Sequence, residues 1–296
     1  MRSKISPALS GCTAFALVFI CVGVSATNAQ TVDAGSDYGP FDPVPDAQLR
    51  PLTTDRPGKS SSPVTVDPGH LQIEADLFNY SFSAADDTTL RQWSAPNVLL
   101  KYGLSDRVDL EAAVSGVNDF EQHDRATGQT ITAHGIGDGW IGAKFNVFGD
   151  DAGDTPKNQA FAIIPMVKIP TAANGLGNKL VEATVALPYQ FNLPDNWSLV
   201  VENTDGLRAD HNGDRLGGDY QAMINLSHPL FLDSITAQVE YFYDRSGDPA
   251  IGQTMTFDPA LQWVVLPNLA FDAGDYIGLD SKAPAQNPYV GISTRF

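Results

Sequence analysis

From residue 70 to the C-terminus the chain reads as short stretches in which apolar and polar residues alternate with period two. That is the spacing of a β-strand with one greasy and one wet face. The last ten residues show it plainly: Val290, Ile292, Thr294 and Phe296 share one side, and Tyr289, Gly291, Ser293 and Arg295 the other. Alternation that ends on a terminal aromatic suits a membrane strand closing a barrel, although a soluble edge strand can show it too. Upstream, Leu71, Ile73, Ala75 and Leu77 oppose Gln72, Glu74 and Asp76, and the phase slips at Phe78, where a bulge would absorb it. Val98, Leu100 and Tyr102 oppose Asn97 and Lys101; Val108, Leu110, Ala112 and Val114 oppose Arg107, Asp109, Glu111 and Ser115. Continued to the end, the pattern predicts twelve strands, beginning near residues 70, 90, 107, 138, 159, 179, 197, 219, 234, 253, 268 and 287.

These strands leave no second set of apolar faces from which a sandwich core could be built, so the apolar sides must meet lipid. The connections also alternate in length. Ser105-Asp106, residues 193–196, Pro229-Leu230 and Leu266-Pro267 are tight, whereas 117–137 and 205–218 are long. Short turns on one side and long loops on the other characterise outer-membrane barrels, and an even strand number puts both termini on the short-turn, periplasmic side. The join at 149–158 is the exception, being long on the supposed short side. Tyr102, Phe148, Phe191, Trp197, Phe231 and Trp263 gather beside the tight turns as an interfacial girdle would. Asp275 takes the phase of Leu269, Phe271 and Ala273, which aims a charge outward unless a bulge near Gly274 intervenes. The expected fold is an all-β antiparallel transmembrane barrel of about twelve strands.

Composition adds export. Arg2 and Lys4 precede an apolar run from Ala14 to Val24, followed by Val24-Ser25-Ala26 and Thr27-Asn28-Ala29 as cleavage sites. Residues 1–29 therefore read as a signal peptide, too short in its apolar run for a helical anchor. Leu9-Ser10-Gly11-Cys12 spells a lipoprotein-type box but lies before the apolar run, which argues against lipidation. Cys12 and Cys21 both fall inside the leader, so the mature chain is expected to lack thiols and disulfides. The whole chain has a formal net charge of −17; removing Arg2 and Lys4 leaves 16 basic and 35 acidic residues, or −19. Such acidity argues against nucleic acid or anionic lipid headgroups as direct partners of the acidic surface.

Residues 30–69 are rich in Pro, Asp, Ser and Gly and carry no periodicity. Two readings stand: a mobile periplasmic leader, or a segment whose Asp55, Arg56 and Pro57 fold back and plug the barrel formed by 70–296. Several short motifs carry a family resemblance here. TDRPGKSSSPVTVDPGHLQIE (from Thr54, with its acid at Glu74), GIGDGWIGAKF (from Gly135), KIPTA with GLG (from Lys168) and the terminal GISTRF are similar to the outer-membrane barrel family labelled for the meta-pathway of phenol degradation. The resemblance runs from Thr54 to Phe296. It implies an outer-membrane location in a Gram-negative cell and a transporter for small, aromatic or hydrophobic compounds.

With apolar sides facing lipid, the lumen should be lined by Glu74, Asp76, Arg91, Lys101, Arg107, Asp109, Glu111, Lys144, Lys168, Glu182, Glu202, Glu240 and Asp258. Mixed signs at this density make cross-strand ion pairs, which either fill a narrow lumen or form a charged constriction that selects solutes. Expected partners are outer-membrane lipid and lipopolysaccharide, a small-molecule solute, and the barrel-assembly machinery through Phe296. No cofactor is expected. Gly137–Gly142 matches G-x-G-x-x-G but opens a strand, so it is not a dinucleotide site. The loop from Asp210 to Asp214 resembles the start of a calcium loop, but Arg215 and Gln221 stand where Gly and Glu are needed. No histidine pair has metal-ligand spacing. A lipid hydrolase needs Ser and His in contact on the lipid face, and Ser227-His228 point to opposite faces, so no enzyme is expected. The first alternative is a structural or adhesive barrel using loops 117–137 and 205–218, and the weaker second is an outer-membrane lipid hydrolase.

Overall fold

The computed structural model describes residues 38–85, 87–149, 158–230, 232 and 234–296. The expected leader at 1–29, Phe231 of the expected girdle and most of the join at 149–158 lie outside the described residues.

Twelve antiparallel strands, each paired with the next, make one continuous wall. They are β1 (Leu71–Ala85), β2 (Thr88–Ala95 and Asn97–Ser105), β3 (Val108–Val114 and Val117–Asp124) and β4 (Thr130–Ile136 and Gly139–Phe148). Then come β5 (Gln159–Ile169), β6 (Glu182–Asn192), β7 (Ser198–Ala209) and β8 (Leu216–Pro229). The set ends with β9 (Ile235–Ser246), β10 (Gln253–Leu266), β11 (Leu269–Asp275 and Ile277–Gly278) and β12 (Pro288–Arg295). β12 pairs back onto β1, with Arg295 opposite Gln72 and Tyr289 opposite Asn79, and this seam closes the barrel.

The barrel is inside out relative to a soluble domain. Its least exposed large side chains include Lys101, Lys144, Gln72, Glu74, Glu240, Asp109 and Asp258, while Leu110, Ile141, Ile224, Leu261 and Trp263 are each more than 50% exposed on the outside. Each such apolar side chain would cost about 1.5–3 kcal/mol if left in water, so the belt requires lipid as its solvent.

The slip at Phe78 is a bulge. Asp76 pairs with Gly291 and Phe78 with Val290, leaving Leu77 extra, and both Leu77 and Phe78 face outward. No bulge intervenes near Gly274: the pairing of β11 with β10 and β12 keeps one register through Gly274 and Asp275. Asp275 is instead satisfied in place, its carboxylate accepting the backbone N–H of Asn287 at 2.7 Å.

Both stretches expected to be long loops are largely strand. The first is a ribbon with Val117 opposite Ile136 and His123 opposite Thr130, and the second shrinks to residues 210–215 because Ala209 still pairs with Leu216. In the ribbon, polar residues stand on both faces, so the hydropathy contrast vanishes while the ladder of backbone bonds persists.

Candidate functional site

β12 closes on β1, and residues 50–69 lie within the ring. Residues 50–69 touch inward-pointing side chains of strands on every side of the barrel. This stretch contains four prolines, Pro51, Pro57, Pro63 and Pro68, and it cannot join a central strand.

 Each proline lacks a backbone donor, and the segment's remaining N–H groups must find acceptors away from any ladder.

The wall supplies those acceptors as carboxylates. Glu74 on β1 accepts the N–H groups of Asp55 and Arg56 at 3.0 and 3.1 Å. Glu240 on β9 accepts those of Lys59 and Ser60 at 2.7 and 3.0 Å, Glu202 on β7 that of Ser61 at 2.6 Å, and Asp109 on β3 that of Val66 at 3.0 Å. Hydrogen bonds to carboxyl groups on four different strands let a segment without regular structure hold one path.

Three charged side chains in the middle of the segment, Asp55, Arg56 and Lys59, anchor it further. The Asp55 carboxylate receives Lys101 of β2 at 3.0 Å and Lys144 of β4 at 2.9 Å, and Lys101 also binds Glu74 at 2.5 Å. Burial pushes the Asp55 carboxyl up, but the two ammonium groups outweigh it and hold the group well below the usual carboxylate range. Arg56 spans Asp76 of β1 at 2.5 Å and Asp272 of β11 at 2.6 Å, and its guanidinium lies 5.5 Å from the centre of the Tyr289 ring. Burial disfavours this cation, yet Asp272 and Asp76 hold it above its ordinary value. Gly291 of β12 makes the room: a Cβ there would collide with the guanidinium.

Lys59 is the third anchor. Its Nζ donates to Asp258 at 2.6 Å and Thr256 at 2.7 Å on β10, and lies 3.9 and 4.4 Å from the ring centres of Tyr276 and Phe242. Burial pushes this ammonium below its ordinary value, and Asp258 and Glu240 restore only part of the loss. Between the anchors, the Pro57 carbonyl accepts the Tyr289 hydroxyl at 2.6 Å. Nearer the tight turns, Arg295 binds Asp67 at 2.8 Å and Arg50 binds the same carboxylate at 2.7 Å.

Cavities lie on both sides of the segment. One of about 590 Å³ opens toward the long hairpins and is lined by Asn97, Asn118, Trp140 and Met166 among others. The other, of about 200 Å³, faces the tight turns and is lined by Gln190, Ser227 and Gln262. Asp55, Arg56, Gly58 and Ser61 line both.

Of the residues named from sequence, Glu74, Asp76, Lys101, Asp109, Glu111, Lys144, Lys168, Glu182, Glu202, Glu240 and Asp258 are buried. Lys168 and Glu182 pair at 2.8 Å, joined by Asp138 at 3.4 Å, apart from the inner segment's anchors. Two expected lumen residues stand elsewhere. Pro96 interrupts β2, so the alternation restarts, and Arg91 shares the side of exposed Trp93, pairing with Glu121 at 3.1 Å. Arg107 sits exposed at the β2–β3 turn and donates to the Val147 carbonyl at 3.3 Å. Sequence reasoning passed over Lys59, Asp272, Tyr276 and Tyr289; the inward phase of Asp272 was the signal that could have found it.

The other candidate chemistry is occupied locally. Asp210 accepts the N–H of Asp214 at 2.9 Å, closing its own loop, and His211 binds Asp248 at 2.7 Å. His228 meets the Asp195 carbonyl at 3.0 Å and packs at a tilt of 43° against Trp197.

Comparison with known proteins adds three findings. The profile of a family described as "Putative MetA-pathway of phenol degradation" matches residues 54–296. The crystal structure of an outer membrane channel from Pseudomonas putida F1 is similar at a TM-score of 0.54 and 13% identity, over 78% of this chain and 100% of that one. A KdgM porin in complex with disordered oligogalacturonate is similar at a TM-score of 0.46 and 11% identity, over 77% of this chain and 99% of that one. No curated protein sequence matches significantly.

Proposed function

The chain belongs to that family of outer-membrane barrels, and from this premise we propose that it is a channel for small solutes whose lumen is plugged by residues 54–62. The observation that carries the reading is the partition: one segment stands between two cavities and lines both. Tight turns and both ends of the barrel chain lie on one side, which this reading assigns to the periplasm, with the long hairpins outside the cell. Export by the leader and delivery to the barrel-assembly machinery through Phe296 belong to the same reading, as do lipid and lipopolysaccharide around the apolar belt. The chain has no catalytic part in it.

Small aromatic or apolar compounds are the solutes the family description favours, and the larger cavity has Trp140, Ile164 and Met166 on its wall to meet them. The test is solute entry into proteoliposomes carrying the intact protein or Arg56→Ala. Hydroxybenzyl alcohol and arabinose should both enter faster through the variant, the aromatic solute more so. Entry no faster than into protein-free liposomes, for both proteins, would remove the channel reading.

A further inference from the structure

Lys59 stands in a recess built for an ammonium ion. Two acceptors, Asp258 Oδ2 and Thr256 Oγ1, take two of its N–H groups, and the faces of Tyr276 and Phe242 cover the rest of the charge. Aromatic faces with a carboxylate are how proteins recognise organic cations, the ring quadrupole attracting the charge and the acid fixing its direction. All four of these residues belong to the wall, on β9, β10 and the start of the break in β11, whereas the lysine belongs to the segment. The recess is therefore complete without Lys59.

Two further observations point to a ligand. The other oxygen of Asp258, Oδ1, is buried without a hydrogen-bond partner, so the recess has an acceptor to spare. Lys59 and Gly58 also line the larger cavity, so a solute there meets the residue whose ammonium fills the recess. The neighbouring anchor differs. Arg56 is held by two carboxylates, while Lys59 has one, plus the more distant pull of Glu240. Of the two cations, Lys59 is the more readily exchanged.

We propose that the recess formed by Phe242, Thr256, Asp258 and Tyr276 is a binding site for small organic primary ammonium ions, which Lys59 fills in the plugged barrel and an incoming amine takes over. This deepens the channel reading by naming a solute class, and it rests on that reading only for its consequence in transport. A primary amine fits because it can donate to both acceptors while presenting its charge to the rings; a quaternary ammonium cannot donate, and a neutral alcohol brings no charge.

Vacating the recess tests it. In Lys59→Ala, purified in detergent, butylammonium at saturation should raise the thermal unfolding midpoint by about 5 °C or more. Butanol and tetramethylammonium should leave the midpoint within error, and Lys59→Ala with Asp258→Asn should not respond to butylammonium. No response of Lys59→Ala to butylammonium, or an equal response to butanol, would overturn the site. Lys59→Met replaces Lys59→Ala under the same criteria if the latter does not assemble. Bilayer conductance is read separately: a midpoint shift in a barrel that never conducts would keep the site and reject the channel.

Discussion

Arg56 ties the inner segment to two strands that meet only through the closing seam, Asp76 on β1 and Asp272 on β11. Removing it leaves two buried carboxylates facing each other, a loss of about 3–5 kcal/mol for a broken buried pair. Arg56→Ala should therefore release the segment, and Gly291→Ala should do so in part by displacing the guanidinium; a conductance in both variants no higher than that of the intact protein would contradict this. Asp55 gives the pH dependence. Its carboxyl is held below the ordinary value of 3.8, so its contribution is complete above that value and is lost as pH falls through the lower value of the docked state. Conductance should stay low from neutral pH down to 3.8 and rise only in stronger acid; opening near pH 6 would assign control to another group. Asp55 and Arg56 were legible because T-D-R-P stands out in a segment that cannot be strand. Lys59 was not, being one cation in a Ser-rich run, and Asp272 gave no hint of a partner 216 residues away.

Among the elements, β1 and β2 show what period two can and cannot convey. Alternation located the bulge of β1 because the apolar phase changes at Phe78, and the register places both Leu77 and Phe78 outside. Leu77→Arg and Phe78→Arg should each destabilise the barrel by about 2–4 kcal/mol near mid-membrane, measured as folding into liposomes at graded urea. A large effect at only one position would mean strict alternation there. Arg91 was misplaced because the sequence gives the interruption at Pro96 but not the phase in which β2 resumes. The ribbon of β3 and β4 was hidden for a different reason: with both faces polar, hydropathy carries no signal, although every residue from Val117 to His123 is paired.

For the whole molecule, the interior carries more acid than base. Around the segment, Glu202, Glu240, Asp258 and Asp272 join Glu74 and Asp76, against Lys101 and Lys144 on the wall, in a chain of formal charge −17. An open lumen should thus favour cations, and the reversal potential of Arg56→Ala in a potassium chloride gradient should have the sign of potassium permeation; chloride preference would contradict the charge assignment. The closed barrel and its belt were readable from alternation and from the lack of a second apolar face. Occupancy of the lumen was not, because it depends on contacts between residues far apart in the chain. Single-channel recording of the full-length chain against one lacking residues 51–63 measures that occupancy most directly. The shortened barrel should conduct several-fold more than the intact one, and equal conductance would contradict the claim that this segment closes the lumen.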